Sequence, residues 1–224
     1  MTTQNIEPVA NAARMSGPPT CALCLRANQP MTREHVFARW LVRQVHGGRL
    51  VPSSAPSSTP AARIGRVIAG VCADCNAGWM SGLEDSFRRT LFARPRVGEV
   101  QPQDRITLSR WFTKTAVLLA EASGGALIGA AHRPQLVRGM PDDIEVFLAR
   151  RRRPRQQLDF ALDTMADDNE GALRVRSVGV LVDDLIAHVA ARGTLASRHG
   201  TRLWPLRSHT LRWETLPVIT SFSQ

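Results

Sequence analysis

A chain of 224 residues, 43% hydrophobic and 21% charged, is long enough for a real core and too apolar to be disordered over most of its length; length alone does not separate one large domain from two small ones. The formal charge is +10, from 29 basic and 19 acidic residues, and Lys114 is the single lysine. Arginine presents a planar fork that matches phosphate oxygens, so this balance favours nucleic acid as a partner, although codon usage gives the same bias and charge alone does not choose.

Residues 1–19 read as a flexible leader ending in Gly17, Pro18 and Pro19, with no apolar run that would serve as a signal-peptide core. The most apolar stretch, AVLLAEASGGALIGA, is interrupted by Glu121, Gly124 and Gly125 and is shorter than the roughly 20 residues that span a bilayer. A cytoplasmic location without membrane association is therefore expected, and in that reducing compartment paired cysteines are better explained by metal than by disulfides.

After Cys21-Ala-Leu-Cys24 a short extended piece leads to Thr32, Arg33 and Glu34, and then Val36, Phe37, Trp40, Leu41 and Val45 recur at helical spacing, which sets His35 at a junction. Gly47 and Gly48 stop that helix, and VPSSAPSSTPAA is a Pro/Ser-rich loop that cannot bury a core. RIGRVIAGV is β-prone and feeds Cys72-Ala-Asp-Cys75. A helix is predicted from Asn76 to about Ala93 on the stripe Trp79, Met80, Leu83, Phe87 and Leu91, with Pro95 beyond it. Trp40 and Trp79 follow the two motifs on helical faces, where core packing is the expected role ahead of base stacking.

A second helix is predicted over Leu108 to Ala122, stopped by Gly124 and Gly125. Beyond residue 140 the segments IEVFLA, LDFAL, ALRVRSVGVLV and TLRWETLPVIT read as strands, and DDLIAHVAAR as a strand or a short helix that periodicity does not separate. The run Arg150, Arg151, Arg152, Arg153, with Arg155 beyond Pro154, falls between two of these strands. It is expected at a hairpin tip, either solvated or gripping a phosphate backbone. The fold class that emerges is α+β: a zinc-bound module over 20–100, then a helix and a mixed α/β half over 101–224, with no clear linker between them.

Two CxxC knuckles carry the strongest chemical signal. Each sets two thiolates on a tight turn at the separation tetrahedral zinc accepts, so Cys21, Cys24, Cys72 and Cys75 are expected to close one structural Zn²⁺ site. A redox role for either pair is the competing reading. About 47 residues separate the knuckles, so the ion acts as a clamp on a long loop, tying the Glu34-His35 segment to the helix that begins at Asn76.

The order Cys21-x-x-Cys24, Glu34-His35-Val36, Cys72-x-x-Cys75-Asn76 resembles the zinc-containing branch of the HNH, or ββα-metal, endonuclease superfamily, over residues 21 to about 93. The resemblance implies a metal-dependent nuclease acting on nucleic acid, with DNA the expected substrate. It also implies that Glu34 and Asn76 hold a Mg²⁺ or Mn²⁺ ion while His35 deprotonates water. The residue types suit those roles, since carboxylate and amide oxygens fit such ions and imidazole titrates near neutrality. The chain departs from the pattern at the middle Asn of the triad, because no Asn lies between His35 and Cys72; a backbone carbonyl or His46 is the expected substitute. A module that kept the zinc scaffold without turnover is the alternative that this departure allows. Glu84 and Asp85 lie on the predicted helix after Asn76, but on a straight helix Glu84 stands about 12 Å further along the axis, so both are expected to be solvated or paired with arginine.

Overall fold

The computed structural model describes residues 18–45, 64–65, 67–152, 158–166, 173–193, 200–206 and 210–219. Most of the leader, the Pro/Ser-rich stretch, His46, Arg153 and Arg155 lie outside the described residues. The architecture is mixed α+β. A two-stranded antiparallel ribbon pairs β1 (Met31–His35) with β2 (Ile68–Cys72), in register from Met31 opposite Cys72 to His35 opposite Ile68. Helix α1 (Arg39–Val45) follows β1 and buries Leu41, Val42 and Val45. After β2 comes one helical turn (Ala73–Cys75), a π-helical turn (Asn76–Met80) and then α2 (Ser81–Ala93).

Helix α3 (Pro102–Ala122) opens with Pro at its first turn, where the missing amide hydrogen is no loss, and almost everything from Thr107 to Ala120 is buried. A helix enclosed on nearly all sides has neighbours on nearly all sides. It packs against α2 and β2 on one flank and against the larger sheet on the other.

That sheet contains β4 (Ile144–Arg151), β5 (Leu158–Ala166), β6 (Leu173–Val182) and β7 (Leu185–Ala191) in the antiparallel order β5, β6, β7, β4. The short strands β8 (Thr201–Trp204) and β9 (Val218–Ile219) extend it along β4, and β3 (Gly125–Ala126) runs parallel to the start of β6. A single-turn helix, α4 (Gln135–Arg138), precedes β4. Buried apolar residues form one continuous cluster from Cys21 to Leu216.

One open reading is decided here and two expectations are corrected. The segment DDLIAHVAAR is β7, because Asp183 adopts φ 57 and, with Asp184, makes a two-residue turn that folds the chain straight back onto β6. Strands β4 and β5 therefore do not form a hairpin with an arginine tip: the β6–β7 hairpin stands between them in the sheet. Among its described residues the TLRWETLPVIT segment contributes only an isolated bridge at Arg212, a 3₁₀ turn at Trp213–Thr215 and the two residues of β9.

Candidate metal centre

The first knuckle is a closed loop in which Thr20 bridges to Ala27, the Cys21 amide donates to the Arg26 carbonyl (3.1 Å) and the Leu25 amide to the Cys21 carbonyl (3.0 Å). Leu25 takes up the reversal at φ 59. The Ala22 amide donates to the Gly70 carbonyl at 3.0 Å, docking this loop on β2. The second knuckle begins on the last residue of β2, and the Ala73 amide reaches back to the Pro30 carbonyl at 2.8 Å. Strand pairing thus carries the two knuckles to one place.

All four Sγ atoms lie within 4.8 Å of one another, and the Cys24 and Cys72 sulfurs are 3.6 Å apart. A disulfide needs about 2.05 Å. A tetrahedral ion with sulfur at about 2.3 Å sets sulfur pairs about 3.8 Å apart, so the four thiols are placed to hold a metal ion such as zinc. Burial pushes the Cys21 and Cys75 thiols up, and in Cys75 the neighbouring Trp79 opposes it. Burial also acts on Cys24, but Arg26, whose Nε donates to its sulfur at 3.5 Å, draws it down to about 6. Four thiolates so close together require a cation among them.

Beside the cluster lies a cavity of about 470 Å³ whose wall includes Thr32, Glu34, Trp40, Asn76, Glu84 and Asp85. Thr32 connects both sides: its hydroxyl donates to the Val71 carbonyl at 3.0 Å and accepts from Asn76 Nδ2 at 3.2 Å. Because the hydroxyl proton is already committed to Val71, the amide can meet it only through Nδ2. Asn76 Oδ1 is left as the acceptor, and with the Glu34 carboxylate it gives the cavity hard oxygen donors suited to a divalent cation.

Glu34 and Asn76 are therefore brought together. His35, the partly buried last residue of β1, is not among the residues lining this cavity, as the alternation of side chains along a strand sets it opposite Glu34. Arg150 is tied to Asp184 through Nε (3.1 Å) and Nη2 (2.9 Å), and Arg94 reaches the same carboxylate. Arg152 is exposed at the end of β4.

Glu84 departs from the straight-helix expectation. Gly78, at φ −89 and ψ −113, interrupts the regular rise, and Glu84 shares the cavity wall with Asn76. It is neither solvated nor paired with arginine. Its Oε1 accepts from Lys114 Nζ (2.5 Å) and Trp111 Nε1 (2.8 Å), and its Oε2 from Trp40 Nε1 (3.2 Å). The signal lay in Lys114 itself: one lysine inside the apolar run WFTKTAVLLA must be buried, and a buried ammonium needs a carboxylate.

Comparison with protein-family models, curated proteins and solved structures gives no match for this chain. What fold and site define is an α+β protein with a four-cysteine cluster placed for a metal ion and, next to it, a cavity whose wall carries Glu34, Asn76, Glu84 and Asp85 among apolar residues. Among the described residues no helix is long and apolar enough to cross a membrane.

Proposed function

We propose that the protein is a metal-dependent endonuclease of the HNH type, hydrolysing phosphodiester bonds in nucleic acid, with DNA the expected substrate. The reading rests on one observation above the others: Glu34, from the strand before α1, and Asn76, from the helical turn after the second knuckle, share one cavity wall. The pairing of β1 with β2 across the intervening α1, followed by a helix after the second knuckle, supports it.

In this reading Cys21, Cys24, Cys72 and Cys75 hold a structural Zn²⁺, and Glu34 with Asn76 Oδ1 would hold a Mg²⁺ or Mn²⁺. Such an ion, when bound, polarises a non-bridging phosphate oxygen and stabilises the leaving oxygen. His35, which stands on the opposite face of β1 from Glu34, would have to turn toward the cavity to take a proton from water; the water oxygen would then bond to phosphorus as the ester P–O bond breaks, and solvent would protonate the departing alkoxide. Thr32 takes the Asn76 nitrogen, which leaves Oδ1 as the amide atom able to ligate a cation.

A second reading, a zinc-stabilised nucleic-acid-binding or partner-binding module without turnover, is favoured by the absence of His35 from the cavity wall. Cleavage of plasmid and single-stranded substrates with Mg²⁺ or Mn²⁺, run beside His35→Ala and Glu34→Gln after elemental analysis for zinc, separates the two. About one zinc per chain with cleavage lost in both variants supports the nuclease; zinc with no cleavage of any substrate supports the module.

A further inference from the structure

We infer that a strip of α2 running from the cavity wall at Glu84 out to the exposed Arg88 and Phe92, together with Trp40 of α1, is a binding track for an unpaired nucleic-acid strand, whose bases stack on Phe92 and whose phosphates meet the arginines. The inference rests on the nuclease reading for the strand's destination, the cavity of Glu34 and Asn76. Its own support is separate. Residues 84, 88 and 92 recur at i, i+4 spacing and so share one line on the helix surface, while Leu83, Phe87 and Leu91 face the core. The line begins at the cavity, where Glu84 is a wall residue, and covers about 12 Å by Phe92, a span of about three base steps at a 3.4 Å rise.

Phe92 is 50% exposed on a well-formed helix. An isolated exposed aromatic is unremarkable, but this ring joins an aromatic group: it meets Trp40 edge-on at 6.0 Å and 67°. Trp40 is held in turn by its hydrogen bond to Glu84, so its ring cannot swing away from the cavity wall. The Arg88 guanidinium lies 5.6 Å from the Trp40 ring centre, and among the described residues no carboxylate pairs with it. Arg89, Arg39 and Arg43 are exposed on the same two helices.

An exposed aromatic ring set among arginines suits an anionic chain that carries its own flat rings. An acidic protein surface matches the charge and leaves the aromatic group unused. A duplex keeps its base faces stacked internally, so an exposed Phe ring selects for unpaired bases. The recognised chemistry, phosphate plus free base faces, is common to single-stranded DNA and RNA.

The test is fluorescence anisotropy of labelled single-stranded DNA, single-stranded RNA and duplex oligonucleotides with the zinc-loaded protein, without added Mg²⁺ or Mn²⁺ so that no strand is cut. The expected result is tighter binding of single strands than of duplex, and a loss of about tenfold for Phe92→Ala, in line with the stacking contribution of one base. Phe92→Tyr keeps the affinity, Phe92→Leu does not, and Arg88→Ala weakens binding of every sequence alike. Val218→Ala, at an apolar side chain 58% exposed on β9, serves as the control and changes nothing. The DNA and RNA arms show which strand is preferred. Duplex bound as tightly as single strand, unchanged affinity in Phe92→Ala, or no oligonucleotide bound at all each overturn the inference. Strand binding that depends on Phe92 without cleavage under any metal condition would instead remove the nuclease reading and leave the track standing.

Discussion

Two antiparallel pairings lie on opposite flanks of α3, and they are held by different means. The β1–β2 ribbon has five residues per strand and only two strands, a size that is marginal in water without further support. Its support is the cysteine cluster at one end and the Glu84–Lys114 pair beneath α2. The larger sheet has no such dependence. Strand β4 is buried from Ile144 to Ala149 and β7 from Leu185 to Ala190, so apolar burial is the main stabiliser there, with the buried Glu145 paired to Arg202 within it. The difference teaches that the cysteine cluster serves the pairing where the hydrophobic effect is short of surface, and that the cavity sits on this weaker flank.

Removing the metal should break this comparison most visibly. In hydrogen exchange, chelation or Cys72→Ala is expected to expose the amides of β1 and β2 fully, while those of α3, β4, β6 and β7 remain protected. Loss of protection throughout the chain would show that the two flanks are not independently held. Metal uptake near pH 7 should also release protons, because burial keeps the Cys21 and Cys75 thiols protonated without an ion; a pH-indicator dye in weak buffer detects this.

The next effect in size concerns Lys114, whose side chain is 2% exposed beside a Glu84 side chain 17% exposed. Lys114→Met leaves a nearly buried carboxylate without its cation and should cost about 3–5 kcal/mol in urea unfolding. Adding Glu84→Gln removes that charge and should recover much of the loss, a coupling that a double-mutant cycle measures. Across the molecule, Asp184→Asn weakens a second staple, in which Arg94 at the end of α2 and Arg150 at the end of β4 converge on one carboxylate. Some 1–3 kcal/mol is expected there, since the amide still accepts hydrogen bonds.

How much of this was legible in the sequence depends on whether the deciding contact is local. The four cysteines were legible because CxxC spacing fixes the turn, and α2 and α3 because their apolar stripes have helical period. The π-helical turn at Asn76–Met80 was not, since only the backbone of Gly78 reveals that the rise is interrupted. Strand β7 was ambiguous because its residues are buried on both faces and lose the alternation that marks a half-buried strand. The arginine run suggested a hairpin tip because sequence order was read as sheet order, whereas β4 takes β7 as its neighbour and ties Arg150 to the β6–β7 turn.

The smallest predicted effect tests a tie outside both flanks. Between α2 and α3 the chain is fastened to the C-terminal segment: Glu99 bridges to Arg212, the Trp213 amide donates to the Gly98 carbonyl (2.9 Å), and the Val100 amide to the Leu211 carbonyl (2.8 Å). Glu214 closes this contact, with Oε2 accepting the Gly98 amide at 2.8 Å and Oε1 accepting Arg212 Nε at 2.6 Å. The Gly98 hydrogen bond, aided by Arg212, holds the Glu214 carboxyl down at about 2, against about 4.3 for an unperturbed glutamate. A folded-state pKa below the unfolded one gives stability that is fully present above the unfolded value and lost as pH falls through the folded one. The urea midpoints of wild type and Glu214→Gln should therefore differ slightly at pH 7, keep that gap down to about pH 4.5, and close it as pH approaches 2. A gap independent of pH would mean that the carboxylate holds this loop by shape and not by charge.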